Sequence, residues 1–142
     1  MTTGVELHTE LEGVPPPLGF YSHAASVQNG VGRTAYLSGQ IPVDMSGELV
    51  GVGDFRRQVH QTFDNIQRVL AGLGSSFEQV VYVRSFLTRV DDLAAYTEER
   101  KKIYAQVCPK GPPPTTTVYV DLYHPDCLLE VEVVAVVSGE DR

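Results

Sequence analysis

The sequence predicts an α+β domain built on a mixed β-sheet with two helices on one face. Three observations lead to this prediction: a hairpin signal between two strand-like runs near the start, two helical segments around a β-rich run, and two apolar β-rich runs at the end. A strand–helix–strand crossover joins parallel strands and lays its helix on one sheet face. The length of 142 residues fits a single domain, 1–142.

The N-terminal part of the chain is predicted to form short antiparallel strands. Val5 to Leu11 alternates weakly, which is typical of a short edge strand. Pro15 to Pro17 cannot enter a helix interior or a central strand, so this stretch is expected to be a loop. Ala24 to Gln28 and Arg33 to Ser38 have strand composition, and Asn29-Gly30 between them is a strong hairpin signal.

The first helix is predicted to begin after Asp54, a favourable N-cap, and to end at the glycines Gly72 and Gly74. Apolar side chains recur at helical spacing along it: Phe55, Val59, Phe63, Ile66, Leu70 and Leu73. The other face carries polar side chains spaced four apart, which indicates solvated i,i+4 pairs: His60 with Asp64, and Asp64 with Arg68.

The middle of the chain is predicted to form one strand and a second helix. Val80 to Leu87 is rich in β-branched and aromatic residues and alternates in part, which favours a strand. Asp91 or Asp92 is the expected cap of the helix, and Pro109 closes it. Its apolar positions are Leu93, Tyr96, Ile103, Tyr104 and Val107.

Two apolar runs, Pro112 to Leu122 and Leu128 to Val137, are predicted to form a closing hairpin around a His-Pro-Asp turn. Alternate residues of the second run, from Leu129 to Val137, are apolar and are expected to face the core. The other face carries Glu130 and Glu132 and then becomes apolar again. Because no third helix is left to cover it, we expect self-association through this open face.

Composition narrows the classes of function. The net charge of −7 opposes binding to nucleic acid or to an anionic membrane, and no apolar run reaches membrane-spanning length. The start of the chain lacks signal-peptide features, so a cytoplasmic location is expected. Cys108 and Cys127 are expected to be free thiols, and the scattered histidines predict no metal site.

Glu132 is the strongest candidate for chemistry, because a carboxylate in an apolar strand needs either a partner or a use. A surface acid on a partly solvated face is the other interpretation. For Glu130, which lies nearer the turn, the surface interpretation is favoured.

Further candidates lie in the first half of the chain and in the threonine run. Free amides at Ser38-Gly39 can meet an anionic ligand group, although a bulge with a capping serine explains them equally. Tyr21 and His23 follow the proline loop and can line a pocket or pack beneath the loop. Thr115 and Thr116 open a strand-like run, and strand propensity alone accounts for such residues.

Several segments together resemble the RidA/YjgF family of reactive-intermediate deaminases along nearly the whole chain. The matching segments are Gly19-Phe20-Tyr21-Ser22-His23, Tyr36 to Asp44, Gly47 to Val50, the helix residues Gln58, Gln61 and Asn65, Val80-Val81, Pro113 to Val118, and Glu130 to Ala135.

The resemblance implies a chorismate-mutase-like fold and a homotrimer whose sheets pack around a threefold axis, with clefts between subunits. It also implies hydrolysis of small imines and enamines to carbonyl products and ammonia, without a metal or an organic cofactor. The residues that it places in the cleft are Tyr21, Ser38, Gly39 and Glu132.

One departure from the family pattern concerns substrate binding. Active deaminases of the family carry an arginine in a Pro-x-Arg-Ser/Thr motif, where its guanidinium holds the substrate carboxylate. This chain has Thr115 at that position. A non-catalytic metabolite-binding module of the same fold is therefore the alternative function, with RNA cleavage a weaker third. An arginine from elsewhere could take the missing place, and Arg33 and Arg84 are the candidates.

Overall fold

The computed structural model describes residues 4–138. These residues form one six-stranded sheet, two α-helices and two short 3₁₀ turns. The elements, in chain order, are β1 (Val5–His8), β2 (Ala24–Gln28), β3 (Gly32–Leu37), α1 (Phe55–Gly72), β4 (Val80–Leu87), α2 (Leu93–Val107), β5 (Thr115–Tyr119) and β6 (Leu129–Ser138). The predicted α+β class is confirmed.

The strand order across the sheet is β1-β2-β3-β6-β4-β5. All neighbours are antiparallel except β4 and β5, which run parallel because α2 connects them as a crossover. The predicted closing hairpin is wrong, because β4 lies between β5 and β6. The ten-residue β6 is the most apolar strand and takes the sheet centre, between β3 and β4, where both of its edges are paired.

Strand β6 has the two-residue periodicity that the sequence indicates. Its core-facing residues, from Leu129 to Val137, are all buried, while the residues between them are partly exposed. The buried side of β6 packs against the apolar face of α1. The two helices also contact each other, and the ring centroids of Phe63 on α1 and Tyr96 on α2 are 6.3 Å apart. The helices therefore cover one sheet face, and the other face stays open.

Two amide side chains on α1 fasten loops to the helix, and a third amide supports one of them. Asn65 is fully buried and donates to the carbonyl oxygens of Ile41 and Val43, at 3.0 and 2.9 Å. Gln58, also buried, donates to the Asp126 carbonyl at 2.9 Å and accepts from the Leu128 N–H at 2.8 Å. The third amide, on Gln61, donates to the Asn65 side chain at 3.0 Å.

The polar face of α1 agrees with the prediction only in part. Asp64 and Arg68 form the expected i,i+4 ion pair at 2.8 Å. His60 instead contacts Glu99 of α2, with 2.7 Å between Nε2 and Oε1, so its predicted pairing with Asp64 is wrong. Glu99 is buried and also accepts from Arg56, and these bonds lower the pKa of its carboxyl to about 2. The two helices are thus joined by a charged cluster that sequence spacing does not reveal.

The cap of α1 and the free thiols agree with the sequence predictions, whereas the cap of α2 differs. Asp54 caps α1 by accepting from the Arg57 N–H at 3.1 Å. Asp92 stands at the cap position of α2, but its carboxylate pairs with Arg89 instead of a helix N–H. Both cysteines are free, as predicted, and the structure shows that both are buried. Among residues 4–138, no helix is long and apolar enough to cross a membrane.

Replacement of Asn65 by alanine is expected to lower the free energy of unfolding by about 1–3 kcal/mol, because the buried Val43 carbonyl loses its side-chain donor and the Ile41 carbonyl keeps only the Val43 N–H. Urea unfolding followed by circular dichroism measures the change. Gln67→Ala on the same helix is the matched control, with an expected change below about 0.5 kcal/mol. Equal losses in the two variants would contradict the role of Asn65 as a buried fastener.

Candidate functional site

A cavity of about 470 Å³ opens beside the N-terminal end of β6. Its wall combines a carboxylate, two phenols, a serine, two glycines and two aliphatic side chains. The lining residues are Leu18, Gly19, Tyr21, Ser38, Gly39, Ile41, Tyr123 and Glu130. The volume suits a small organic molecule.

A bulge next to β6 shapes one wall of this cavity. Tyr36 of β3 pairs with Val134, and Gln40 pairs with Val131, so four steps on one strand oppose three on the other. The extra residue falls at Ser38-Gly39, where the backbone leaves the ladder. Ser38 Oγ donates to the Ser22 carbonyl at 2.6 Å. The bulge interpretation of Ser38-Gly39 is confirmed, and the bulge forms a wall of the cavity; ligand binding by its amides stays a prediction.

Glu130 points into the cavity and packs directly on Gly39. A Cβ on Gly39 would overlap the Glu130 carboxylate in its present position, so glycine permits this close approach. Burial raises the pKa of the Glu130 carboxyl, and the nearby charge of Glu132 raises it further. Within residues 4–138 this carboxylate has no hydrogen bond or ion pair. The expectation that Glu130 is a solvated surface acid is therefore wrong.

Tyr21 faces Glu130 across the cavity from the end of the proline loop. Its hydroxyl oxygen accepts the Leu18 N–H at 3.2 Å, and this local bond orients the ring. The hydroxyl proton stays available, because in the described part of the chain the phenol donates to no other group. The cavity thus presents one hydrogen-bond donor and one carboxylate acceptor to a ligand.

Glu132 lies outside this cavity, two residues further along β6. Its carboxylate pairs with Arg84, directly opposite on β4, on the open face of the sheet. The Arg84 guanidinium also lies 5.4 Å from the centroid of the Tyr82 ring. The same-face spacing predicted for the two acids is confirmed, and their surroundings differ: Glu132 has a cationic partner and Glu130 has none.

Thr115 and Thr116 are also separated from the cavity within one chain. Both are exposed on β5, with β4 between them and β6. Thr115 lines a groove against α2, next to Arg100 and Pro113. Thr116 lies beside Arg84 in the strand register, and its hydroxyl bonds the Tyr82 hydroxyl.

His23 and Arg33, two further candidates from the sequence, lie away from the cavity lining. The His23 side chain is buried, its backbone bonds His8 and Ser38, and burial lowers the pKa of its imidazole. Arg33 donates to Ser26 and to the Gly4 carbonyl, at 2.8 and 3.0 Å. Neither side chain lines the cavity, and Arg33 does not supply a guanidinium to it.

Sequence reasoning missed Tyr123, Ile41 and Leu18 as pocket residues. Tyr123 precedes the His-Pro-Asp turn and is 74% exposed, an unusual exposure for an aromatic side chain beside a cavity. Only the turn composition was a signal in the sequence, and it indicates a loop without saying which cavity that loop faces. Asn65 holds Ile41, and Gln58 holds the segment after Tyr123, so α1 positions both walls.

Metal ligation and thiol chemistry have little support in this region. In the part of the chain that the structure describes, no group of three or more His, Cys, Asp or Glu side chains could hold a metal ion. Cys127 is buried near the cavity and donates to the Leu129 carbonyl at 3.2 Å. Burial raises the pKa of its thiol to about 11, so the thiolate is scarce at neutral pH.

Comparison with known proteins establishes the family. The family model described as "Endoribonuclease L-PSP" matches residues 12–137. The 3-aminoacrylate deaminase RutC of Acinetobacter baylyi is 34% identical over 124 residues, which cover 87% of this chain and 92% of that protein. The chain therefore belongs to the RidA/YjgF family.

Two further relatives agree in length and fold. A 2-iminobutanoate/2-iminopropanoate deaminase of Dermatophagoides farinae is 29% identical over 124 residues, covering 87% of this chain and 91% of the relative. The crystal structure of E. coli TdcF with bound serine superimposes with a TM-score of 0.80 at 26% identity, covering 94% of this chain and 100% of TdcF.

Replacement of Glu130 by glutamine is expected to stabilise the protein at neutral pH. Because the folded-state pKa of Glu130 is raised, its contribution to stability is fully present below the unfolded-state pKa and is lost as pH rises through the folded-state pKa. The variant should therefore have the higher urea midpoint at pH 7, and its advantage should disappear by about pH 4.

Glu10→Gln, a change of an exposed acid in the loop after β1, is the control for this pH series. Its difference from the parent protein should be small at both pH values. An advantage of Glu130→Gln that persists unchanged at pH 4 would show that the pocket does not perturb the Glu130 carboxyl.

Proposed function

We propose that this protein hydrolyses a small imine or enamine to a carbonyl compound and ammonia, with Glu130 as the acid–base group. The observation that carries the proposal is the half-buried Glu130 carboxylate, which lies on Gly39, faces Tyr21 and has no partner within residues 4–138. A raised carboxyl pKa suits a group that must both accept and return a proton. The deaminase names of two relatives support the same reaction class.

The proton transfers balance with water as the only co-reactant. The Glu130 carboxylate removes a proton from water as the water oxygen bonds to the iminium carbon, and the C=N π electrons move to nitrogen to give a carbinolamine. Glu130 then protonates that nitrogen. The C–N bond breaks with its electron pair leaving on ammonia, and the hydroxyl oxygen forms the carbonyl as its proton passes to the Glu130 carboxylate. Glu130 then releases that proton to solvent water, which regenerates the carboxylate. Tyr21 and the Gly39 backbone orient the reactant.

Glu132 remains the alternative acid–base residue, and the two carboxylates allow a matched comparison. Glu130→Gln should lower the rate of imine hydrolysis about a hundredfold or more, whereas Glu132→Gln, which only releases Arg84, should have the smaller effect. Imines generated in situ from a panel of amines and amino acids, with and without carboxylates, serve as substrates, and ammonia release is measured.

The reverse order of effects would assign the chemistry to Glu132. Glu10→Gln again controls for loss of an acid, and circular dichroism confirms that each variant is folded. No acceleration across the panel would favour the metabolite-binding alternative, which the threonines of β5 support, because a hydroxyl supplies no charge to a ligand carboxylate.

The open sheet face supports the further proposal that three copies associate. Tyr36 is 53% exposed there, and Val134 and Tyr82 lie beside it in the strand register with partly exposed side chains. Such a face would form clefts between copies and could bring Thr115 of one copy towards the cavity of another. Thr115 and the cavity are separate within one chain.

Val134→Lys is expected to convert the assembly to monomers, because it places a charge between Tyr36 and Tyr82 at the centre of the open face. Sedimentation velocity measures the mass of each form. Lys at exposed Val31, in the turn after β2, is the control and should leave the mass unchanged. A parent protein that sediments as a monomer at every concentration would contradict the proposal.

A further inference from the structure

The described side chains that line the cavity carry negative charge and no positive charge. Among the described residues that line it, Glu130 is the one charged side chain, and lysine, arginine and histidine are absent. The other polar atoms belong to Tyr21, Tyr123, Ser38 and backbone groups. Within one copy of the chain, a ligand that enters this cavity therefore meets a carboxylate without a compensating cation.

The guanidinium of Arg84, on the strand β4 next to β6, is already engaged. Arg84 stands opposite Glu132 on the open face, and the two side chains form an ion pair. Glu130 is opposite Phe86, two positions along the same pair of strands. The local sum of these three charged groups is negative, so the open face beside the cavity does not favour an anion.

Hydrogen-bonding capacity points in the same direction. The Glu130 carboxylate accepts no hydrogen bond from residues 4–138, and a half-buried carboxylate without donors is stabilised by an N–H group, best a charged one. Tyr21 can donate one hydrogen bond across the cavity. Glu130 and Tyr21 together suit a ligand that has a protonated nitrogen and an uncharged hydrogen-bond acceptor.

We propose that the cavity selects small amines, imines or enamines that carry no carboxylate, with their protonated nitrogen on Glu130. A carboxylate on the ligand would be repelled by Glu130 and would find no cationic partner in the lining. This inference deepens the proposed function and, for its catalytic part, rests on it. It names the charge class of the substrate.

The test compares two imines that differ only in a carboxylate. A flavin amine oxidase produces propan-1-imine from propylamine, and an L-amino-acid oxidase produces 2-iminobutanoate from 2-aminobutanoate. Ammonia release is measured with the purified full-length protein. We expect kcat/KM for propan-1-imine to exceed that for 2-iminobutanoate at least about tenfold, which corresponds to one charged hydrogen bond. A preference for 2-iminobutanoate would overturn the inference and leave the proposed hydrolysis intact.

A charge added to the wall should invert this preference. Tyr123 lines the cavity and is 74% exposed, so Tyr123→Arg places a guanidinium there without opening the core. Tyr123→Gln is the matched neutral control. The ratio of the two kcat/KM values should shift towards 2-iminobutanoate in the arginine variant only. If the ratio shifted equally in both variants, the cause would be loss of the Tyr123 ring and not the added charge. That result would count against the inference.

Binding provides an arm that does not depend on catalysis. Isothermal titration measures propylammonium and 2-aminobutanoate against the parent protein and Glu130→Gln. Tighter binding of propylammonium, weakened about tenfold or more by Glu130→Gln, supports the inference even if neither imine is hydrolysed. In that case the proposed function alone fails. Equal or absent binding of both ligands, together with no difference in turnover, would overturn the inference.

Discussion

The buried amides of α1 are the interaction on which the candidate site depends. Asn65 holds the backbone at Ile41 and Val43, and Gln58 holds the backbone at Asp126 and Leu128. Loops seldom stay fixed without such partners, because their backbone groups compete for water. Since each held segment adjoins a wall of the cavity, one helix sets the distance between the walls, and the helix itself is anchored in the core by Val59, Phe63 and Ile66.

The second constraint is the alternation of β6 combined with one extra residue in the neighbouring segment of the sheet, after β3. Alternation puts Glu130 and Glu132 on one face, away from the helices. The bulge at Ser38-Gly39 then encloses Glu130, while Arg84 pairs with Glu132. Two identical side chains thus acquire different surroundings on one strand, and burial raises the pKa of the Glu130 carboxyl without a change in strand geometry.

Much of this fold could be predicted from local patterns. The spacing of apolar residues predicted α1, the hairpin signal predicted β2 and β3, and the alternation of β6 predicted its buried face. The closing hairpin was wrong because turn composition reports only the chain reversal, whereas the α2 crossover decides which strand pairs with β4. The different roles of Glu130 and Glu132 could not be predicted either. Glu130 packs on Gly39 and Glu132 pairs with Arg84, and both of these neighbours are distant in sequence.

The three threonines that open β5 have a consequence for how such proteins diversify. β5 is an edge strand, and its first two side chains are exposed, while its backbone alone contributes the ladder to β4. Exposed positions of this kind usually change stability little when substituted. Natural variation there can therefore explore new chemistry with the core and its buried amides untouched. The exposed side chains at the start of β5 are thus separate from the buried amides that hold the cavity walls.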